Sequence, residues 1–140
     1  MPQHHTCSYR VSYADTDRMD RVYYANYFEI CERARTEFLR AVGFPYREIE
    51  NRGLFFPVRS CQARYHNYAV YDDELICRSH IGKLRHATLV FVTEICRPGD
   101  AKPLVTAMVE LACVAQNGKP CVIPEELRRV LEPYLAGKEE

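Results

Sequence analysis

No C-x-x-C pair, glycine-rich phosphate loop, Rossmann glycine pattern or Gly-x-Ser-x-Gly elbow occurs in this chain, and no apolar run is long enough to span a membrane. The missing motifs leave no sequence basis for a P-loop or dinucleotide enzyme, or for the familiar serine-hydrolase elbow. The seven cysteines, at 7, 31, 61, 77, 96, 113 and 121, are odd in number and sit mostly in apolar runs. They read as small buried hydrophobes rather than as a disulfide framework or a zinc site. An excess of charge of one sign is missing too, since 19 Lys and Arg balance 19 Asp and Glu. Nothing in that balance calls for a nucleic-acid backbone or an anionic membrane as partner. The opening MPQHHTCSYR is too polar for a secretory leader, so the chain reads as cytoplasmic. Repeats, low-complexity tracts and linker-like stretches are likewise missing. A single domain over residues 1–140 is expected, large enough to bury a core.

What is present is a sequence of alternating and helical patterns. Cys7, Tyr9, Val11 and Tyr13 alternate with polar residues, the period of a half-buried strand. Tyr27, Cys31, Ala34, Phe38 and Val42 then follow helical spacing, with Asn26 and Glu29 placed as a capping box and Glu29–Arg33 and Arg33–Glu37 as i,i+4 ion pairs. Gly43 stops that helix. Strands are expected over 56–70, from Leu75 to Ile81, over 87–96 and over 104–115, separated by turns at Asp72-Asp73, Pro98-Gly99-Asp100 and Asn117-Gly118. Pro124 opens a short terminal helix that Pro133 ends or kinks. Consecutive strands on short turns are expected to be antiparallel neighbours, with the helix burying its stripe on them: an α+β domain. One helix covers one face of a sheet. The surplus apolar surface at Tyr23, Tyr24, Ala25, Phe28 and Ile30 therefore points to a second subunit.

The stretch YADTDRMDRVYYANYFEICERAR places Asp15, Asp17 and Asp20 just before the helix. Aspartates in that position commonly do no more than bond backbone N–H groups in a turn. A calcium loop is disfavoured, because the sixth position lacks glycine and the twelfth holds Asn26 in place of glutamate.

The run Y-x-D-T-D-x-x-x-x-V-Y-Y-x-N-Y followed by E-R-A-R-T-E resembles the signature of the hotdog-fold acyl-CoA thioesterases, on the branch of 4-hydroxybenzoyl-CoA thioesterase and the YbgC-like enzymes. The resemblance continues through Leu54-Phe55-Phe56-Pro57-Val58, Asp72-Asp73-Glu74-Leu75, Ile81-Gly82-Lys83, Gly118-Lys119-Pro120 and Ile123-Pro124. It implies an antiparallel β-sheet wrapped around one long central α-helix. It further implies subunits paired edge to edge into a homodimer or homotetramer, and an active site at the interface near the helix start. It implies hydrolysis of an acyl-CoA thioester, with coenzyme A as part of the substrate and no cofactor or metal. It assigns the catalytic carboxylate to Asp17, seven residues before Tyr24, and the carbonyl-polarising group to the Tyr24 backbone N–H.

Elementary chemistry agrees. An aspartate with an ordinary pKa of about 3.9 is ionised at neutral pH and serves either as nucleophile or as base toward water. Unpaired N–H groups at a helix start stabilise an oxyanion. This needs the helix, or a tight turn into it, to begin near Tyr23 or Tyr24, two residues before the Asn26 cap. One departure lies inside the motif: Asp20-Arg21 stands where the family usually carries glycine and a small, apolar or histidine residue. Asp20 can adopt a positive φ, but its charge tends to raise the pKa of one carboxylate of the pair.

Tyr23, Tyr24, Tyr27, Phe28, Phe55 and Phe56 are candidates for an acyl pocket and equally for plain core. Lys83 and Arg85 read either as a solvated hairpin or as contacts to coenzyme A phosphates. Glu29 and Glu32 read as salt-bridged helix surface, His66, His80 and His86 as ordinary strand residues, and Arg128 and Arg129 as surface charge. The rival readings are a non-catalytic acyl-CoA-binding module and a thioesterase acting on acyl-carrier-protein. A dehydratase would need an Asp-His pairing that the chain lacks.

Overall fold

The computed structural model describes residues 2–137. In chain order the elements are β1 (His5–Arg10), α1 (Asn26–Ala41), α2 (Tyr46–Asn51), β2 (Leu54–Phe55), β3 (Val58–Tyr65), β4 (Glu74–Leu84), β5 (Thr88–Cys96), β6 (Val105–Ala112), β7 (Val114–Ala115) and α3 (Glu125–Leu131). Five strands form one antiparallel sheet in the order β1-β4-β5-β6-β3, and β2 pairs with β7 beside it.

Period two sorts the central strands, with Val90 and Cys96 of β5 buried on the other parity. Leu75, Cys77, Ser79 and Ile81 of β4, Leu89, Phe91, Thr93 and Ile95 of β5, and Val105, Ala107, Val109 and Leu111 of β6 are all buried. On this face lies the apolar stripe of α1, where Tyr27, Ile30, Cys31, Ala34, Phe38 and Leu39 are buried. Ser79 and Thr93 satisfy each other inside this layer, hydroxyl to hydroxyl at 3.0 Å. The opposite face carries Arg78, His80, Glu94, Thr106, Met108 and Glu110, none of them buried. β3 is exposed along nearly its whole length, and its outer edge has no strand partner among the described residues.

The strand pairing differs from simple succession. β4, β5 and β6 are neighbours as expected, but β3 pairs with β6 and not with β4. The reason is that β4 has both edges taken, one by β1 through the register His5↔Ser79 to Arg10↔Glu74 and the other by β5. Residues 66–73 therefore cross the end of the sheet. His66 and Asn67 N–H groups donate to the Leu104 carbonyl at 2.8 and 3.0 Å. The Arg97 guanidinium donates to the Tyr68 carbonyl at 3.0 Å.

The capping box is also corrected. Ala25 occupies the cap position of α1 with no side-chain bond, and Asn26 is already helical. Its N–H donates to the Tyr23 carbonyl at 2.8 Å, so a turn starting at Tyr23 closes before a cap at Asn26 is possible. The pairs Glu29–Arg33 and Arg33–Glu37 do not form among the described residues. Glu37 meets Arg40 at 3.6 Å, and the Arg33 guanidinium lies 5.5 Å over the Tyr9 ring. The expected strand over 104–115 breaks at Cys113, whose N–H donates to Ala87 at 2.8 Å, leaving β7 to pair with β2. The helix α2, launched from Pro45, was not expected.

Candidate active site

After β1 the chain turns through a single 3-10 turn at Tyr13–Asp15. Asp15 is only 6% exposed. Its Oδ2 accepts from the Tyr9 hydroxyl at 2.7 Å, the Ser12 N–H at 2.9 Å and the Ser12 hydroxyl at 3.1 Å. The Asn26 amide reaches its Oδ1 at 3.4 Å. Burial opposes ionisation of Asp15, but the bonds from Tyr9, Ser12 and Asn26 outweigh it and hold the carboxyl below the usual range. Its main-chain carbonyl meanwhile accepts the Tyr23 N–H at 2.9 Å. One residue thus ties β1, the loop and the entrance to α1 together.

Residues 16–22 fold back as a small hairpin. Thr16 bridges Val22, Asp17 N–H donates to Arg21 at 2.8 Å, and Asp20 sits at φ 67°. Asp20 therefore occupies the left-handed conformation that glycine would take most easily. Beside it the Arg21 guanidinium stacks 3.9 Å from the Tyr68 ring centre, fastening the hairpin to the segment that crosses the sheet end. Arg21 also bridges Val70, and Val22 N–H donates to Ala69 at 2.9 Å.

Asp17 projects from this hairpin and is exposed. Its Oδ1 accepts the N–H groups of Met19 at 2.8 Å and Arg21 at 3.3 Å. Its Oδ2 accepts nothing from the described residues. The carboxylate is held by one oxygen and presents the other. Asp15, in contrast, is turned inward and spent on Tyr9 and Ser12, so the three aspartates do not converge as cation ligands. Among the described residues no group of three or more His, Cys, Asp or Glu is placed to hold a metal.

The turn into α1 answers the question of where the helix begins. Tyr23 N–H is used by Asp15 and the Tyr23 carbonyl by Asn26, whereas the N–H groups of Tyr24 and Ala25 have no acceptor among the described residues. The Tyr24 carbonyl accepts the Tyr65 hydroxyl at 3.1 Å. The rings of Tyr23 and Tyr24 are exposed and lie 4.9 Å apart. Tyr27 is buried, and its hydroxyl accepts the Ala69 N–H at 2.9 Å. It belongs to the wall behind the turn more than to an open surface.

Lys83 and Arg85 stand elsewhere. With Ser60, Gln62, Met108 and Glu110 they line a hollow on the sheet face opposite α1, and Arg85 lies 3.6 Å from Glu110. They belong to the far end of β4 from the Asp17 hairpin, so a single chain does not bring them to Asp17. Glu29 and Glu32 are exposed on α1, and His66 Nε2 meets the Thr106 hydroxyl at 3.3 Å. Sequence reading missed Tyr65. Its one signal was an aromatic residue inside the strand expected over 56–70.

The model of the thioesterase-like superfamily matches residues 11–131. The chain belongs to that family. Its thioesterase relatives include the acyl-CoA thioesterase YbgC of Haemophilus influenzae, 35% identical over 121 residues that cover 85% of this chain and 88% of the relative. The solved structure of a probable thioesterase from Bartonella henselae is 36% identical, with a TM-score of 0.80 over 86% of this chain and 99% of that one. A hypothetical protein from Aquifex aeolicus, 30% identical, superposes with a TM-score of 0.86 over 91% of this chain and 99% of its own. The resemblance read from residues 13–37 is thereby shown. The antiparallel sheet with few helices is shared with hotdog-fold thioesterases.

Proposed function

We propose that this member of the thioesterase-like family hydrolyses an acyl-CoA thioester to a free carboxylic acid and coenzyme A. The observation that carries the reading is the pairing of two prepared groups on one bonded frame: the free Oδ2 of Asp17, and the unused N–H of Tyr24 in the turn that Asp15 anchors. Asp17 acts on the thioester carbonyl carbon directly, giving a mixed anhydride that water opens, or takes the proton from an attacking water. Tyr24 N–H meets the negative charge that grows on the carbonyl oxygen. Coenzyme A is part of the substrate, and the reaction requires no cofactor.

The finer architecture belongs to the same reading. α1 serves as the central helix about which the sheet curves. Two chains join along the free edge of β3 as a homodimer, alone or within a homotetramer. An exposed Asp17 on the isolated chain then gains its walls, including part of the acyl pocket beside Tyr23 and Tyr27, from the partner subunit. Lys83 lies roughly 30 Å along β4 from the end near the Asp17 hairpin. Lys83 and Arg85 therefore serve coenzyme A phosphates only across such an interface. The setting is the cytoplasm.

A panel of aliphatic and aromatic acyl-CoAs and an acyl-carrier-protein, assayed by thiol release, tests the reading on wild type and Asp17→Asn. Turnover is expected to fall by about 10² to 10⁴ in the variant. Undiminished turnover would move the chemistry off Asp17. Turnover confined to acyl-carrier-protein would reassign the substrate, and binding without release would leave an acyl-CoA-binding module.

A further inference from the structure

β3 ends at Tyr65, and its side chain leaves the sheet edge to meet the entrance of α1. The hydroxyl donates to the Tyr24 carbonyl at 3.1 Å. The ring stands edge-on to that of Tyr24, at 6.4 Å and 88°, and tilts against the buried Tyr27 ring at 5.6 Å. A trans peptide carries its N–H on the side opposite its carbonyl. A bond that fixes the Tyr24 carbonyl therefore also fixes the direction of the Ala25 N–H, which belongs to the same peptide. The peptide before it is fixed in the same manner, because the Tyr23 carbonyl accepts the Asn26 N–H at 2.8 Å and so orients the Tyr24 N–H. Two successive peptides thus have engaged carbonyls and N–H groups without acceptors among the described residues. A peptide whose carbonyl accepts a hydrogen bond is polarised and becomes the stronger N–H donor.

We propose that Tyr65 is a positioning residue for thioester hydrolysis: its hydroxyl orients and polarises the Tyr24–Ala25 peptide, so that the Ala25 N–H joins that of Tyr24 at the developing oxyanion. This rests on the assignment of the Tyr24 turn to the thioester carbonyl. Tyr65 suits the role chemically. Burial and the neighbouring Tyr24 push its phenol above the usual ionisation range, so it stays a donor at neutral and mildly alkaline pH. At 42% exposed it is not a core side chain, and removing its hydroxyl opens no cavity.

Tyr65→Phe keeps the ring and deletes the donor. With butyryl-CoA, octanoyl-CoA and benzoyl-CoA as probes, kcat is expected to fall about tenfold while KM stays within about twofold, at an unchanged melting temperature. A second readout does not depend on turnover. The carbonyl resonance of benzoyl-CoA labelled with carbon-13 at that carbon, bound to Asp17→Asn protein, is expected to move back toward its free value when Tyr65→Phe is added. A wild-type kcat in Tyr65→Phe, or an unmoved resonance with kcat and KM changed together, overturns the proposal while the role of Asp17 stands. Undiminished turnover in Asp17→Asn, or no turnover of any probe by wild type, overturns the underlying site and this inference with it.

Discussion

Asp15 carries more of the local structure than Asp17, although only Asp17 faces outward. Its carboxylate collects two donors from Ser12, one from Tyr9 and one from Asn26. Asp15→Asn turns an amide N–H₂ toward groups that are themselves donors, so a loss of roughly 1.5–3 kcal/mol is expected by denaturant unfolding. Because its folded pKa is depressed, the stability Asp15 contributes is complete above its ordinary value of 3.8 and is lost as pH falls through the folded value. The Asn variant is expected to lack that part of the acid dependence. The resemblance pointed to Asp17 and Tyr24 through a motif that is short and local. The Tyr65–Tyr24 bond spans a separation of 41 positions and leaves no local pattern.

At the scale of elements, α1 was legible from its stripe, while its first turn was not, since the bond from Asn26 N–H to the Tyr23 carbonyl puts Asn26 inside the helix and not at its cap. The place of β3 was not legible either. Strand patterns state which faces are buried, not which edges are free, and only the docking of β1 on β4 displaces β3 to β6. That docking has its own signature in pH. His5 stacks on Phe38 at 5.3 Å, His80 lies edge-on to His4 at 5.1 Å, and the buried Nδ1 atoms of His5 and His80 have no partner among the described residues. Burial pushes both imidazoles below the ordinary value of 6.5, so the unfolded chain binds the extra protons first. Stability is expected to be level above pH 6.5 and to decline as pH falls below it, measured as melting temperature across a buffer series. His5→Leu with His80→Leu is expected to flatten that decline.

For the whole molecule the decisive surface is the exposed β3 strand with its free edge, a template for a second strand. Cys61 lies on it and is exposed, whereas Cys31 is buried with its thiol pushed up to about 12. If copies pair along β3, alkylation of Cys61 by iodoacetamide slows as protein concentration rises, and light scattering reports the multimer over the same range. A Cys61 rate indifferent to concentration, with a monomer by scattering, would remove the interface from the proposed function. Of the apolar surface that suggested a partner, Tyr23 and Tyr24 are exposed, whereas Ile30 is buried within the chain.

The crossing of residues 66–73 over the end of the sheet has a consequence for synthesis. β3 leaves the ribosome well before β6, its only strand neighbour within the described chain. In that interval a nascent chain presents an unpaired ribbon to whatever lies nearby, including the same ribbon on an adjacent nascent chain of one polysome. The order of translation thus gives two copies an early occasion to meet.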